Sequence, residues 1–172
     1  MAQSRIAITG FMCSGKTTVA HALGRLVGCN VCDLDQSLAS TEDRNVADII
    51  EKDGETAFRE IETRVLAELL SQDSCSVISL GGGTWTIEQN RELIGKHGYS
   101  TVWLDAPLDL CWKRIQTNED NRPLASSYEA AKKRYDDRLP LYQLADFRIA
   151  IQEDDAVDEV ANRVAAAVLR DA

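Results

Sequence analysis

The chain has 172 residues, 44% of them hydrophobic, and 19 Lys and Arg against 28 Asp and Glu give a net charge of −9. This composition excludes disordered and collagen-like chains, and the charge argues against non-specific binding of nucleic acid or of an acidic membrane. No apolar run approaches the ~20 residues that span a bilayer, and no secretory signal is visible. We therefore expect one cytoplasmic domain over residues 1–172.

Short apolar runs rich in β-branched residues alternate with longer amphipathic segments. The runs predict five strands, in chain order Arg5–Thr9, Asn30–Asp33, Ser76–Leu80, Ser100–Leu104 and Phe147–Ile151. Between and after the strands, three helical faces are expected to be buried: Val19, Leu23, Leu26 and Val27; Phe58, Ile61, Val65 and Leu69; and Val157, Val160, Ala161, Val164, Val168 and Leu169. Such alternation predicts an α/β fold in which helices cover both faces of a parallel sheet.

Two polar segments interrupt this pattern. Residues 40–45 form the first, and Thr117–Ser127 forms the second. The second segment contains a proline and has no clear period. It predicts a mobile loop that could act as a lid.

A phosphate-binding motif follows the first predicted strand. Residues 10–17, Gly-Phe-Met-Cys-Ser-Gly-Lys-Thr, fit the pattern G-x-x-x-x-G-K-[ST]. Such a loop points backbone N–H groups at phosphate oxygens, and the helix that starts near Lys16 adds its positive N-terminal end. Lys16 would reach the β- and γ-phosphates, and the Thr17 hydroxyl would bind Mg²⁺. The predicted ATP-binding residues of this loop are Cys13, Ser14, Gly15, Lys16, Thr17 and Thr18.

Two carboxylates stand at the end of the second predicted strand. Asp33 and Asp35 alternate along an extended chain, so both can face one cleft at the carboxyl edge of the sheet. One would serve the metal and the other an acceptor hydroxyl. The alternative is that either residue only caps the next helix.

Further motifs indicate the acceptor. They are Gly54 to Glu62 at the start of a helix, Gly81–Gly83 after the third strand, Asn121-Arg122-Pro123-Leu124 in the predicted lid, and Arg138-Leu139-Pro140-Leu141-Tyr142. No N-K-x-D motif of a GTPase is present. Together with Gly10-Phe11-Met12, these motifs resemble shikimate kinases in family order, from about residue 5 to about residue 150.

The resemblance implies a three-layer α/β/α P-loop kinase fold with a five-stranded parallel sheet and a mobile lid at about 117–127. It also implies ATP-dependent phosphorylation of the shikimate 3-hydroxyl, on the path to chorismate, by a monomer that uses Mg²⁺. Asp35, Lys16 and Arg122 would be catalytic, with Arg122 closing over the phosphates of ATP. Thr17 would bind the metal directly and Asp33 through water. The shikimate-binding residues would be Asp35, Arg59, Gly81, Gly82, Gly83 and Arg138, with the two arginines on the carboxylate.

Two other functions remain open at this point. One is a kinase of another small polyol acid such as gluconate, on the same fold. The other is a non-catalytic relative that only binds ligands, although Lys16, Asp35 and Arg122 are all present. From spacing alone, Arg59 and Arg138 would also suit a solvated helix face.

The five cysteines are odd in number and scattered, which favours unpaired thiols in a reducing compartment. Cys29 and Cys32 form a C-x-x-C pair that we interpret as small buried hydrophobic residues. Cys13 stands where shikimate kinases usually have glycine. Its thiol could be reactive beside a helix N-terminus and Lys16, or could be packed behind the loop and inert.

Overall fold

The structure, a computed structural model, describes residues 5–72, 74–117 and 126–169. In this part of the chain the strands are β1 (Arg5–Thr9), β2 (Val31–Asp33), β3 (Val77–Ser79), β4 (Tyr99–Asp105) and β5 (Phe147–Ala150). The α-helices are α1 (Lys16–Val27), α2 (Leu34–Glu42), α3 (Val46–Gln72), α4 (Glu88–Lys96), α5 (Leu108–Thr117), α6 (Tyr128–Tyr142) and α7 (Val157–Leu169). Each predicted strand is present, and each of its ends lies within one residue of the prediction.

The strands form one parallel sheet in the order β2-β3-β1-β4-β5, which confirms the predicted fold class. Helices cover the sheet, so the central strands are buried and carry little polar surface. Because β3 lies between β2 and β1 and all three strands are parallel, the segments that follow these strands meet at one edge of the sheet. This edge brings together the phosphate loop, Asp33 and Gly81–Gly83.

Three details of the predicted helices are wrong. Leu26 and Val27 are 50% and 40% exposed, because α1 ends there and its last turn passes the edge of the core. Val157 is also exposed, at the start of α7. The polar segment 40–45 is also partly helical, since α2 continues to Glu42.

Gly54 breaks α3 rather than opening a helix. Its backbone φ of 88° is non-helical, and helical residues precede it from Val46 onward. The residues after this break, which carry Arg59 and Glu62, turn toward the sheet edge. Most of the predicted lid, including Arg122, and the side chain of Leu169 lie outside the described residues.

The expectation of unpaired cysteines is wrong for two of the five. The structure pairs Cys32 of β2 with Cys75, which lies just before β3, and their Cα atoms are 5.9 Å apart. Cys13, Cys29 and Cys111 are free thiols. The 43-residue separation hid this pair, because only the sheet topology places the two strands side by side. None of the helices in the described ranges is long and apolar enough to cross a membrane.

Candidate active site

The phosphate loop connects β1 to α1 as the motif predicts. Gly15 caps the helix with a left-handed φ of 98°, a conformation that suits glycine. Lys16 is the first residue of α1, and its buried ammonium group donates to the carbonyl oxygen of Phe11 at 2.9 Å. The side chain therefore lies across the loop, where a phosphate group bound by the backbone N–H groups would meet it.

Cys13 also takes a left-handed conformation, with φ of 60°. The backbone at this position therefore has a shape that favours glycine, and the cysteine is strained there. Its carbonyl oxygen accepts from Nη1 of Arg114 at 3.1 Å, which ties the loop to α5. The residue packs beside Ile115 and Ala131, and it also lines the cavity at the phosphate loop. The packing favours the inert alternative for the thiol, and the place in the cavity wall favours the reactive one.

The positive φ of Cys13 predicts that glycine is more stable than alanine at this position, which is the opposite of their order inside a helix. Cys13→Gly should be more stable than Cys13→Ala by about 1 kcal/mol, because glycine adopts positive φ without a Cβ clash. The same pair at Cys111, inside α5, should show the opposite order by about 1 kcal/mol, since glycine weakens a helix interior. Urea unfolding of the four variants measures both differences. Equal stability of the two Cys13 variants would contradict the strain.

Asp33 joins the phosphate loop to the end of β2. Its Oδ2 accepts from the Thr17 hydroxyl at 2.6 Å, and its Oδ1 accepts from the backbone N–H of Gln36, which caps α2. The Thr17 hydroxyl also lies 3.2 Å from Oγ of Ser79. Asp33 therefore caps α2, and its other carboxylate oxygen lies beside the phosphate loop.

Asp35 lines the same cleft, but it belongs to a helix and not to an extended strand end. It lies in the first turn of α2, whereas strand alternation placed it on an extended chain. The helix starts at Leu34 because Asp33 caps it, and this turn directs Asp35 toward the sheet edge. Asp35 lines two adjoining cavities, one beside the phosphate loop and one beside the glycine run.

The second cavity, of about 560 Å³, collects all the residues predicted to bind the acceptor. These are Asp35, Arg59, Gly81, Gly82, Gly83 and Arg138. Two guanidinium groups thus line one cleft with three carboxylates, those of Asp33, Asp35 and Glu62. The remaining wall includes the apolar side chains of Val46, Ile50 and Phe58. Such a cleft suits a small hydroxylated acid with one apolar face.

Glu62 is a site residue that the sequence did not single out. It is fully buried, its Oε2 accepts from Nη1 of Arg59 at 2.7 Å, and its Oε1 accepts from the Thr84 hydroxyl at 2.6 Å. The available signal was its position three residues after Arg59 in a helix, which puts both on one face. Glu62 thereby fixes the guanidinium of Arg59 in the acceptor cavity.

The glycine run is needed because these side chains approach the backbone closely. A Cβ at Gly81 would lie 2.6 Å from Oε1 of Glu62, and one at Gly83 would lie 2.5 Å from Nη2 of Arg59. Both distances are shorter than a real Cβ contact. The run thus makes room for the Arg59–Glu62 pair, in addition to the predicted access of its N–H groups to a ligand.

Arg138 approaches the cavity from α6. Its Nη1 donates to the carbonyl oxygen of Gly82 at 3.1 Å, and the hydroxyl of Tyr142 donates to the same oxygen. Burial lowers the pKa of Arg138, and the nearby guanidinium groups of Arg59 and Arg134 act in the same direction. A bound carboxylate would relieve the repulsion among these cations.

The first cavity, of about 370 Å³, extends from the phosphate loop along α1. Its far wall is formed by Arg114, Ile151, Asp155, Val157 and Val160, which lie beyond the phosphate loop. The sequence assigned no adenine contacts, because these residues come from three separate segments that only the fold brings together. A guanidinium beside apolar side chains suits a nucleobase.

Comparisons with known proteins agree with this geometry. The family model of shikimate kinase matches residues 12–169. The chain is 37% identical over 166 residues to a shikimate kinase of Ruegeria pomeroyi, covering 95% of this chain and 84% of the relative.

Two solved structures are similar over nearly the whole chain. One is the shikimate kinase from Acinetobacter baumannii in complex with shikimate, with a TM-score of 0.90, 31% identity and coverage of 99% and 95% of the two chains. The other is the shikimate kinase from Aquifex aeolicus, with a TM-score of 0.82, 30% identity and 97% coverage of both chains. The chain therefore belongs to the shikimate kinase family.

Proposed function

We propose that this protein transfers the γ-phosphoryl group of ATP to the 3-hydroxyl of shikimate, giving shikimate 3-phosphate and ADP on the path to chorismate and the aromatic amino acids. The observation that carries the proposal is the junction of the two cavities. Met12, Thr17, Asp35 and Gly82 line both of them. A donor bound at the phosphate loop and an acid bound between the arginines would therefore meet at Asp35.

The phosphate loop supplies positioning and charge neutralisation. Backbone N–H groups and the N-terminus of α1 bind the β- and γ-phosphates, and the Lys16 ammonium exchanges its carbonyl partner for phosphate oxygens. Phosphoryl transfer needs little covalent help from a protein, so this alignment accounts for most of the rate.

Asp35 acts on the acceptor. Its carboxylate stands where the two cavities meet, so it accepts a hydrogen bond from the 3-hydroxyl and turns the oxygen toward the γ-phosphate. As the oxygen–phosphorus bond forms, the hydroxyl proton passes to this carboxylate. Arg59 and Arg138 bind the carboxylate of the acid and set the distance of the ring from Asp35.

The residues beside the loop fit Mg²⁺, which prefers oxygen ligands and retains water and phosphate oxygens around it. Thr17 would bind the ion through its hydroxyl, and Asp33 would bind one of the ion's waters; these two groups are already in contact. Within the described ranges no three His, Cys, Asp or Glu residues form a metal cluster. Bound Mg²⁺ would neutralise charge on the phosphates.

Replacing either arginine by lysine should weaken binding of shikimate while the charge stays the same. Arg59→Lys and Arg138→Lys lose the planar fork that makes two parallel hydrogen bonds to a carboxylate. We expect KM for shikimate to rise about tenfold, the equivalent of about 1.4 kcal/mol, and KM for ATP to change little. Steady-state kinetics with each substrate varied in turn measures both. A rise confined to the ATP value would place these residues at the nucleotide.

The reaction itself is tested by a coupled assay of ADP release with shikimate, with gluconate and without an acceptor, each with and without Mg²⁺. We expect release with shikimate and Mg²⁺ only. Faster release with gluconate would favour the kinase of another polyol acid. No release with any acceptor, from protein that binds both ligands, would favour the non-catalytic alternative.

We further propose a closing lid, a monomeric state and a cytoplasmic location. Arg122 would close over the phosphates as part of the lid, and Arg122→Ala should lower kcat more than ATP affinity. The protein would act as a monomer. It would act in the cytoplasm, where ATP is available. Size-exclusion chromatography with light scattering tests the oligomeric state.

A further inference from the structure

The two cysteines that the structure pairs lie outside the two substrate cavities, and in the reduced protein they are thiols placed for covalent chemistry. Cys32 lies in β2, and Cys75 comes two residues before β3, the neighbouring strand. In the strand register Cys32 stands opposite Ile78, and Cys75 precedes β3 on the same side of the strand pair. The separation of their Cα atoms, 5.9 Å, is in the range that a disulfide requires.

We propose that Cys32 and Cys75 form an oxidation site, at which a small disulfide compound without negative charge converts the two thiols into a crosslink. Cys32 is half-buried and lines an open surface cavity of about 410 Å³ between α2 and α3. Cys75 is only 4% exposed and does not line that cavity. Cys32 is therefore the thiol that meets the oxidant, and Cys75 is the thiol that completes the crosslink.

The charge around Cys32 selects among oxidants. Asp33 and Glu68 line the same cavity, and the whole chain carries a net charge of −9. An anionic disulfide such as glutathione disulfide is repelled by this field, whereas a cationic one such as cystamine is attracted.

The reaction takes place in two exchanges. The Cys32 thiolate attacks one sulfur of the small disulfide, which forms a mixed disulfide and releases one thiol. Cys75 then loses its proton and attacks the Cys32 sulfur, which releases the second thiol. Two protein thiols are oxidised, and the small disulfide is reduced to two thiols.

The crosslink would close the acceptor-binding segment into a covalent loop. The two cysteines are separated by 43 residues, and this segment contains α2 and α3 with Asp35, Arg59 and Glu62. A loop of this length restricts the unfolded chain considerably, so oxidation should raise the melting temperature by at least about 5 °C. Neither cysteine lines a substrate cavity.

The test begins with fully reduced protein, which is incubated with cystamine and then freed of it. We expect the intact mass to fall by about 2 Da for the two hydrogen atoms lost, and the titratable thiols to fall from five to three. Peptide mapping without reduction should join the peptides that contain Cys32 and Cys75. This measurement uses the unaltered protein, so it does not depend on a variant that folds.

Variants establish the order of the two exchanges. Cys75→Ser should retain one half of cystamine on Cys32, and Cys32→Ser should leave Cys75 unmodified. Cys29→Ser and Cys111→Ser are matched controls, which should still form the crosslink. A crosslink between Cys29 and Cys32, a stable mixed disulfide on the unaltered protein, or a faster reaction with glutathione disulfide than with cystamine would overturn the proposal.

Discussion

Asp35→Asn should lower kcat by about 10²- to 10⁴-fold, the usual contribution of a group that orients and deprotonates an acceptor. Asparagine keeps the size of the side chain, but it cannot accept the proton of the hydroxyl. The nucleotide would still bind, because the phosphate loop and the wall beyond it are unchanged. Turnover measured with saturating shikimate, together with calorimetric titration of ADP, separates the two effects.

A matched control for this change is Asp158→Asn. Asp158 also lies in the first turn of a helix, α7, but it lines neither substrate cavity. Both variants lose a negative charge at a helix N-terminus. A fall in the free energy of unfolding that comes from the helix dipole alone would therefore appear in both. Near-normal kcat for Asp35→Asn would show that this carboxylate does not act on the hydroxyl.

Glu62→Ala should have the largest combined effect on stability and binding. The substitution removes a fully buried carboxylate that accepts from Arg59 and Thr84, and it leaves both donors without this partner. We expect the free energy of unfolding to fall by about 3 kcal/mol. KM for shikimate should rise more than tenfold, because the Arg59 guanidinium loses the contact that orients it.

Two further variants make this result specific. Glu60→Ala, on the exposed side of the same helix, should change neither quantity appreciably. Glu62→Gln keeps two acceptor lone pairs without the charge, so its effects should lie between those of alanine and the unaltered protein. Urea unfolding and steady-state kinetics measure them. A loss of stability with an unchanged KM would show that Glu62 supports the fold without positioning Arg59.

The sequence by itself determined the fold class and the donor half of the site. Each strand is a short apolar run between helical segments, and both signals are local, so their ends could be placed within one residue. The phosphate loop is also local, because a contiguous stretch of backbone binds the phosphates and a single helix follows it. The acceptor residues Arg59 and Arg138 emerged only through the resemblance to shikimate kinases, since isolated arginines on helices usually face solvent.

The tertiary structure alone decided features that depend on separate segments meeting. Nothing in the sequence distinguishes Glu62 from the other glutamates of its helix. It orients Arg59 in the cavity because the glycine run after β3 approaches the helix that carries it. The wall beyond the phosphate loop combines α5 with the segments around β5 and α7. Cys32 pairs with Cys75, 43 residues away along the chain, because the strand order places β2 beside β3.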